Sequence, residues 1–263
     1  MKKTISMLLC CAMLGTLCAC QHGGDYEKRT YVPQFDMTVS YGFEDEELKS
    51  DDGTTYYRQS LGTATVSSKD ERAAERINSS LAELYVRFGA DAEYTRRVAE
   101  DQPDGEQIAL SYYCAPSVTR CDTRVLSAVF DVSQDIGGIH ADSTRTSRSY
   151  NADNGSLLTL ADIAKNEEQL KTFIKNYVIG LAAGDDYKEG GVSILFDDFE
   201  STIKDLVDAG ANWYFSDGGL VFYANPYDIA PYSRGVLLFE IPYSALEEFI
   251  DEGFMPVEYE GEN

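Results

Sequence analysis

Residues Asn212–Leu246 read NWYFSDGGLVFYANPYDIAPYSRGVLLFEIPYSAL. Two short apolar runs, Trp213–Ser216 and Leu220–Ala224, flank Asp217-Gly218-Gly219. That pattern predicts a hairpin whose tight turn uses the positive φ angles that Gly218 and Gly219 accept. A third run, Val236–Ile241, follows a loop punctuated by Pro226, Pro231 and Gly235. Tyr227 and Tyr232 sit in that loop, each able to bury a ring and keep a hydroxyl for a partner. The loop is too polar for a core and too aromatic for a linker, which makes it a candidate recognition surface. It reads equally well as a tyrosine-pinned crossover that only shapes a sheet.

The segments around this stretch alternate between strand-like and helix-like patterns. Upstream, Phe35, Met37, Val39, Tyr41 and Phe43 recur at the period of a half-buried strand. The acidic run Glu44–Asp52 reads as a loop and Gly53–Val66 as a second strand. Ser68-x-x-Glu71 resembles a capping box, and Ile77, Leu81, Leu84, Tyr85 and Phe88 share one face of the helix it opens. Gly89 is expected to end that helix and Asp91–Asp101 to form a second. Strands follow at Gln107–Cys114, Asp122–Val132 and Ser143–Ala152, then a helical turn at Thr159–Ala164. Longer amphipathic helices are expected at Glu167–Ala183 and Asp197–Ala209, with a last one at Tyr243–Ile250. Strand groups joined by hairpin-length connections and interrupted by helices predict an α+β fold with mainly antiparallel sheets.

The first residues describe export. Met1-Lys2-Lys3 precede an apolar run from Ile5 to Leu17, the pattern of a secretory signal rather than a membrane span. The chain carries 22 basic and 45 acidic residues among 263, a net charge of −23. Removing residues 1–19 takes two lysines with it and leaves 20 basic against 45 acidic, a net of −25. A field of that sign argues against nucleic acid, whose phosphates require the opposite one. It favours encounter with cationic proteins. Of six cysteines, four lie in the first twenty residues, leaving Cys114 and Cys121. In an exported protein, two cysteines ending neighbouring strand-like runs, with Pro116 among the six residues between them, are expected to form a disulfide across the hairpin loop.

Reactive constellations are sparse. His140 is the one histidine past the polar stretch 21–33, which holds His22 and reads as a short tether. No GxSxG, HExxH or GxxxxGK motif occurs, and the residues imply no cofactor and no metal site. A Ser-His-Asp triad on His140 stays open, since its members need not be close in sequence. The Gly137-Gly138-Ile139-His140 turn allows close backbone approach by a ligand, or simply makes a tight bend in which His140 bonds a carbonyl. Asp135 and Asp142 flank it without EF-hand spacing. Asp197-Asp198-x-Glu200 suits the first turn of a helix.

Three segments carry a family resemblance: Gly137-Gly138-Ile139-His140, the Asp153–Ile163 stretch DNGSLLTLADI, and Asn225-Pro-Tyr-x-Ile-Ala-Pro-Tyr232. Together they resemble a family of extracytoplasmic domains. It occurs in the lysozyme-sensing anti-sigma factor RsiV and ahead of the catalytic domain of the peptidoglycan deacetylase PdaC. The resemblance is close over Asp131–Leu246 and weaker over Phe35–Phe130, implying an N-terminal domain at 34–130, a C-terminal domain at 131–258 and a polar tail at 259–263. Ile139 stands where the pattern has a small residue, and the Cys114/Cys121 pair is not part of it. Leu17-Cys18-Ala19-Cys20 likewise resembles the lipobox of bacterial lipoproteins, in which the cysteine matching Cys20 is acylated. The expected localisation is therefore a lipid anchor on the extracytoplasmic side.

The anti-sigma factor needs a cytoplasmic segment and a spanning helix, and the deacetylase a histidine-rich metal domain. This sequence shows neither. The resemblance thus implies a non-catalytic surface module binding a cationic lysozyme-like protein or peptidoglycan, with Asn225, Tyr227, Tyr232 and His140 as contact or loop-shaping residues. The competing expectation is a hydrolase or metal-assisted enzyme acting on wall glycans through paired carboxylates. The oligomeric state is not legible.

Overall fold

The structure, a computed structural model, describes residues 37–103 and 108–257. The leader, Cys20, the tether and the tail 259–263 lie outside the described residues.

Two long strands open the fold. β1 (Met37–Lys49) and β2 (Thr55–Ser68) pair antiparallel, Met37 opposite Ser68 and Leu48 opposite Tyr57. The acidic run expected as a loop is therefore strand as far as Lys49. Cross-strand bonds hold it: Asp45 accepts from the Ser60 hydroxyl at 2.7 Å and Glu47 from Thr55 at 2.8 Å, with Arg58 directly opposite Glu47. A solvated strand carries carboxylates as readily as a loop does.

The helix α1 (Glu71–Glu100) is one unbroken element of 30 residues. Its cap is Asp70, which accepts from Arg72 N and Ala73 N, and not the Ser68 box. Gly89 does not end it, because Ile77, Leu81, Leu84, Phe88, Ala92, Thr95 and Ala99 continue one buried stripe across that position. Burying one large aliphatic or aromatic side chain stabilises by about 1.5–3 kcal/mol, more than the roughly 1 kcal/mol a helical glycine costs. α1 carries the chain to β3 (Leu110–Cys121), which runs parallel to β2, a pairing that needs such a crossover. β4 (Val125–Asp135) and β5 (Asp142–Asn151) complete a sheet of order β1-β2-β3-β4-β5. The boundary drawn between residues 130 and 131 falls inside β4, whose neighbours on both sides belong to this one sheet.

The expected disulfide is overturned. Cys114 and Cys121 stand on the same strand, seven positions apart, and so about 23 Å from one another at roughly 3.3 Å per residue. A bridge needs Cα atoms within about 7 Å. Cys114 is buried in the core beneath α1, and that burial pushes its pKa up to about 12. The turn lies further on, where Asp122 Oδ1 accepts from Arg124 N and Val125 N, each at 2.8 Å. Pro116, which suggested a loop, is tolerated because β3 has already parted from β2 after Cys114.

The second half begins with α2 (Leu160–Ile163), closed by a Thr159/Asp162 capping box, and α3 (Glu167–Ala182), capped by Asn166. The two-residue strands β6 (Lys188–Glu189) and β7 (Val192–Ser193) lead to α4 (Phe199–Ala209). Then come β8 (Trp213–Phe215), β9 (Gly219–Ala224) and β10 (Leu237–Pro242), in sheet order β10-β9-β8, and a single turn of helix, α5 (Tyr243–Leu246), shorter than expected. Gly218 and Gly219 do make the hairpin turn, but neither has a positive φ. What excludes a side chain is proximity: a Cβ on Gly219 would lie 2.0 Å from Ile241 O, and one on Gly218 2.5 Å from a Glu240 oxygen.

Side-chain alternation turns these pieces into four layers, an α+β fold with mainly antiparallel sheets. Trp213, Phe215, Leu220, Phe222 and Ala224 pack with Leu170, Ile174, Val178, Ile203 and Val207 of α3 and α4. Tyr214, Val221 and Tyr223 point the other way, onto Val129 of β4. On the far face of the large sheet, Leu126, Ala128, Phe130 and Tyr150 pack under α1.

The two sheets are joined by hydroxyls. β8 is an edge strand, yet Ser147 donates to Trp213 O at 2.6 Å, Thr119 donates to Phe215 O at 2.7 Å, and Phe215 N donates to Ser127 Oγ at 3.1 Å. Beside this row lies Arg120, a buried cation paired with Asp122 at 2.8 Å and donating to Tyr243 Oη and Phe254 O. Its guanidinium also stands over the rings of Phe215 and Tyr243. Arg124 holds the neighbouring carbonyls of Glu252 and Met255.

Arg120→Ala, which strands Asp122 and the Phe254 carbonyl, is expected to lower unfolding free energy by about 3–5 kcal/mol in a urea melt, and Arg120→Met by less. Peptide mapping of the unreduced chain by mass should find no cross-linked Cys114–Cys121 peptide.

Candidate functional site

Two loops build the site, one from each sheet. The first joins β4 to β5. Asp135 Oδ1 accepts from Gly137 N at 2.9 Å, and Gly137 turns the chain with φ +90°. Gly138 follows without a positive φ. His140 comes at the end of the turn, exposed, with Ala141 and Ser143 returning into β5.

The second loop, between β9 and β10, is pinned at both of its ends. Asn225 uses its side-chain amide as a strand would use its backbone: Oδ1 accepts from Arg145 N at 2.7 Å and Nδ2 donates to Arg145 O at 3.3 Å, closing the open edge of β5. Arg145 is held in turn by two 2.7 Å bonds to Asp131. Asp228 accepts from Asn225 N at 2.7 Å; burial pushes its carboxyl up, and that bond partly offsets the shift. Three and four residues after Pro226, Ile229 and Ala230 drop into the core, where Ile229 O accepts from Phe196 N.

Tyr227 is lifted between these anchors. Its φ is +70°, the single positive φ among the described residues other than glycine. An L-residue there costs roughly 1–2 kcal/mol relative to the right-handed conformation. The residue stays 57% exposed, and its amide donates to Ala230 O at 3.1 Å. Strain of this kind persists only where the surroundings over-determine it.

The two loops meet ring on ring. His140 stacks on Tyr232 with centroids 3.6 Å apart and planes 11° from parallel. Its Nε2 lies 3.0 Å from Tyr227 Oη and its Nδ1 3.1 Å from Ala141 O. A carbonyl only accepts, so Nδ1 is the donor to Ala141 O, and in the tautomer that this bond selects Nε2 is the acceptor facing the Tyr227 hydroxyl. Tyr232 Oη donates to Ala141 O and lies 3.1 Å from Ser143 Oγ. Both ring nitrogens of His140 are thus engaged, neither by a carboxylate.

The structure brings together all four residues singled out in the sequence, and sorts them. Asn225 and Tyr232 hold the loops to each other, while Tyr227 and His140 present surface. Arg145, Asp131 and Ser143, which complete the cluster, gave no local signal, because their part in it exists only once the loops meet. Among the described residues, no group of three or more His, Cys, Asp or Glu side chains is placed to hold a metal ion, and no helix is long and apolar enough to cross a membrane.

Residues 161–244, from α2 to the start of α5, match the model of a family described as a protein of unknown function, DUF3298. The segment includes Asn225, Tyr227 and Tyr232, and stops short of His140. Two solved structures share the fold. One is a DUF3298 family member from Bacteroides fragilis, with a TM-score of 0.54 at 17% identity over 84% of this chain and 96% of that one. The other is a DUF3298 family protein from Pseudomonas aeruginosa, with a TM-score of 0.52 at 16% identity over 84% of this chain and 99% of that one. No curated protein matches the chain. Likeness at such identities establishes the four-layer fold and leaves the chemistry to the residues.

Tyr227→Gly relieves the backbone and is expected to leave unfolding free energy unchanged or raised by up to about 1 kcal/mol. Tyr232→Ala removes a stacked ring and a bonded hydroxyl, and should cost about 1–3 kcal/mol by the same urea titration.

Proposed function

We propose that this chain is a non-catalytic, lipid-tethered binding protein of the cell envelope that captures a cationic, lysozyme-like protein through the His140–Tyr227 edge. One observation carries the reading. Residues 87 positions apart converge on a stacked aromatic cluster, and its outermost ring is held out to solvent on a strained backbone. A group that only shaped the sheet would bury that ring and relax that backbone. Exposed, rigid aromatic rings bury large area at low entropic cost, which is why they dominate binding hot spots.

Charge favours the same partner. A net −23 chain draws in a cationic protein and speeds the encounter, while the aromatic contact supplies the lifetime. The resemblance to the extracytoplasmic module of a lysozyme-sensing anti-sigma factor supports the choice of lysozyme, and the lipobox-like ending at Cys20 supports the anchor. The engagement of both His140 nitrogens by Ala141 and Tyr227 favours a contact role over a general base, which needs a free nitrogen facing its substrate.

Calorimetry with lysozyme at physiological salt tests the proposal. Wild type is expected to bind, and Tyr227→Ala to lose about 2 kcal/mol of binding free energy with its fold intact. No heat up to high micromolar lysozyme, or turnover of a wall substrate by the purified chain, would retire it.

A further inference from the structure

We infer that the outer edge of β1 is a second docking surface, which takes an extended, basic segment of another protein as a sixth strand of the five-stranded sheet. It lies apart from the His140–Tyr227 edge and does not depend on what that edge binds.

β1 runs for 13 residues along the rim of the sheet, paired with β2 on one side only. In such a strand every second residue turns its N–H and C=O outward. Among the described residues, nothing bonds the backbone of residues 43–48 from that outer side. Three other edges are closed by side chains. Asn225 bonds Arg145 N and O at the rim of β5, and Thr119, Ser127 and Ser147 meet the backbone of β8. Where β3 leaves β2, Tyr85 Oη accepts from Ala64 N at 2.6 Å, and the Asn78 amide bonds Val66 N and O, each at 2.8 Å. β1 lacks such a cover, contains no proline, and keeps an unbroken register with β2 as far as Leu48. An edge of that length is a template for strand addition.

The charges on the strand itself select the occupant. Residues 44–47 read Glu-Asp-Glu-Glu, and alternation puts Glu44 and Glu46 on one face, Asp45 and Glu47 on the other. Glu47 is met by Lys49 at 3.1 Å and Arg58 at 3.4 Å, and Asp45 by the Ser60 hydroxyl alone. Glu44 and Glu46 form no ion pair among the described residues. Three of the four carboxylates thus lack a cation, all of them on the strand whose edge is open. Beside Asp45, on the face turned away from α1, lies a concavity of about 370 Å³ lined by Asp45, Glu47, Arg58, Ser60 and Tyr113. A lysine or arginine of the incoming strand fits there, its charge on Asp45 and its stem along the Tyr113 ring. Like charges set opposite one another destabilise a strand pair, so the run that attracts a basic strand repels a second β1 laid across it.

The test titrates the whole chain with a capped peptide of alternating lysine and threonine, and with a twin of equal charge N-methylated along its backbone. The parent peptide is expected to bind and its twin to bind about tenfold more weakly or less, because the methyl groups remove the ladder bonds and leave the charges. Amide hydrogen exchange in the complex should slow within β1 and not in the loops around His140 and Tyr227. Glu44→Gln/Glu46→Gln, two exposed changes that should melt with wild type, is expected to weaken the parent peptide about fivefold. Equal affinity for the two peptides overturns the inference, since attraction between charges then accounts for capture. No binding at high micromolar peptide overturns it as well, as does slowed exchange around His140 in place of β1. An unchanged affinity in the double variant removes the charge selection and with it the basic partner. The lysozyme titration of Tyr227→Ala decides the other reading separately.

Discussion

A strand edge closed by side-chain hydroxyls holds this protein together. β8 ends its sheet with backbone groups that would be costly to bury unpaired, about 1–3 kcal/mol each. Thr119, Ser127 and Ser147, from three neighbouring strands of the larger sheet, meet those groups one by one. Ser127 is itself oriented by Ser149 at 2.7 Å, and Ser147 lies within 3.3 Å of Tyr223 Oη. Such bonds depend on position in a way that apolar contacts do not. The small sheet can therefore sit on the large one in a single register, and the loop after β9 must come down over the end of β5.

The attachment is repeated at both ends of β4. Where β4 begins, Arg120 and Arg124 grip carbonyls of the segment after α5, at Glu252, Phe254 and Met255. Beyond its other end, about 30 Å away along ten residues of strand, Asn225 closes β5 and Tyr232 bonds Ala141. The hydroxyl row lies between. A buried arginine is weak evidence for stability taken alone, since its desolvation cancels much of what its partners return. Here it fixes which residues face each other, a role in which geometry outweighs net energy.

Local pattern made much of this legible. The three strands of 212–246 follow from the apolar runs Trp213–Phe215, Leu220–Ala224 and Leu237–Ile241, and the helices α3 and α4 from their apolar spacing. The expectations that failed had weighed a local signal against an unseen tertiary one. Gly89 is a helix stop until the sheet beneath α1 rewards Phe88 and Ala92 for staying in line. Pro116 between two cysteines reads as a loop until β2 is seen to leave β3 at Cys114. Glu44–Lys49 reads as a loop because charge repels burial, and an outer strand buries little. The cluster itself was legible only as its members. Tyr227, Tyr232 and His140 are conspicuous by type, but the contact between them depends on how two sheets dock, and no spacing in the sequence encodes that.

Because one loop of the cluster belongs to each sheet, the edge proposed for recognition exists only while the sheets are docked. His140 comes from the five-stranded sheet, Tyr227 and Tyr232 from the three-stranded one, and the 3.6 Å stack spans the seam. A partner seated across that seam touches both halves, and binding to the docked state alone stabilises it by mass action. The strain at Tyr227 belongs to the same balance. It is sustained by Asn225 on one side and Ile229 on the other, so the docked sheets hold the ring out before any partner arrives, and the ordering cost that a flexible loop would meet on binding is already met in folding.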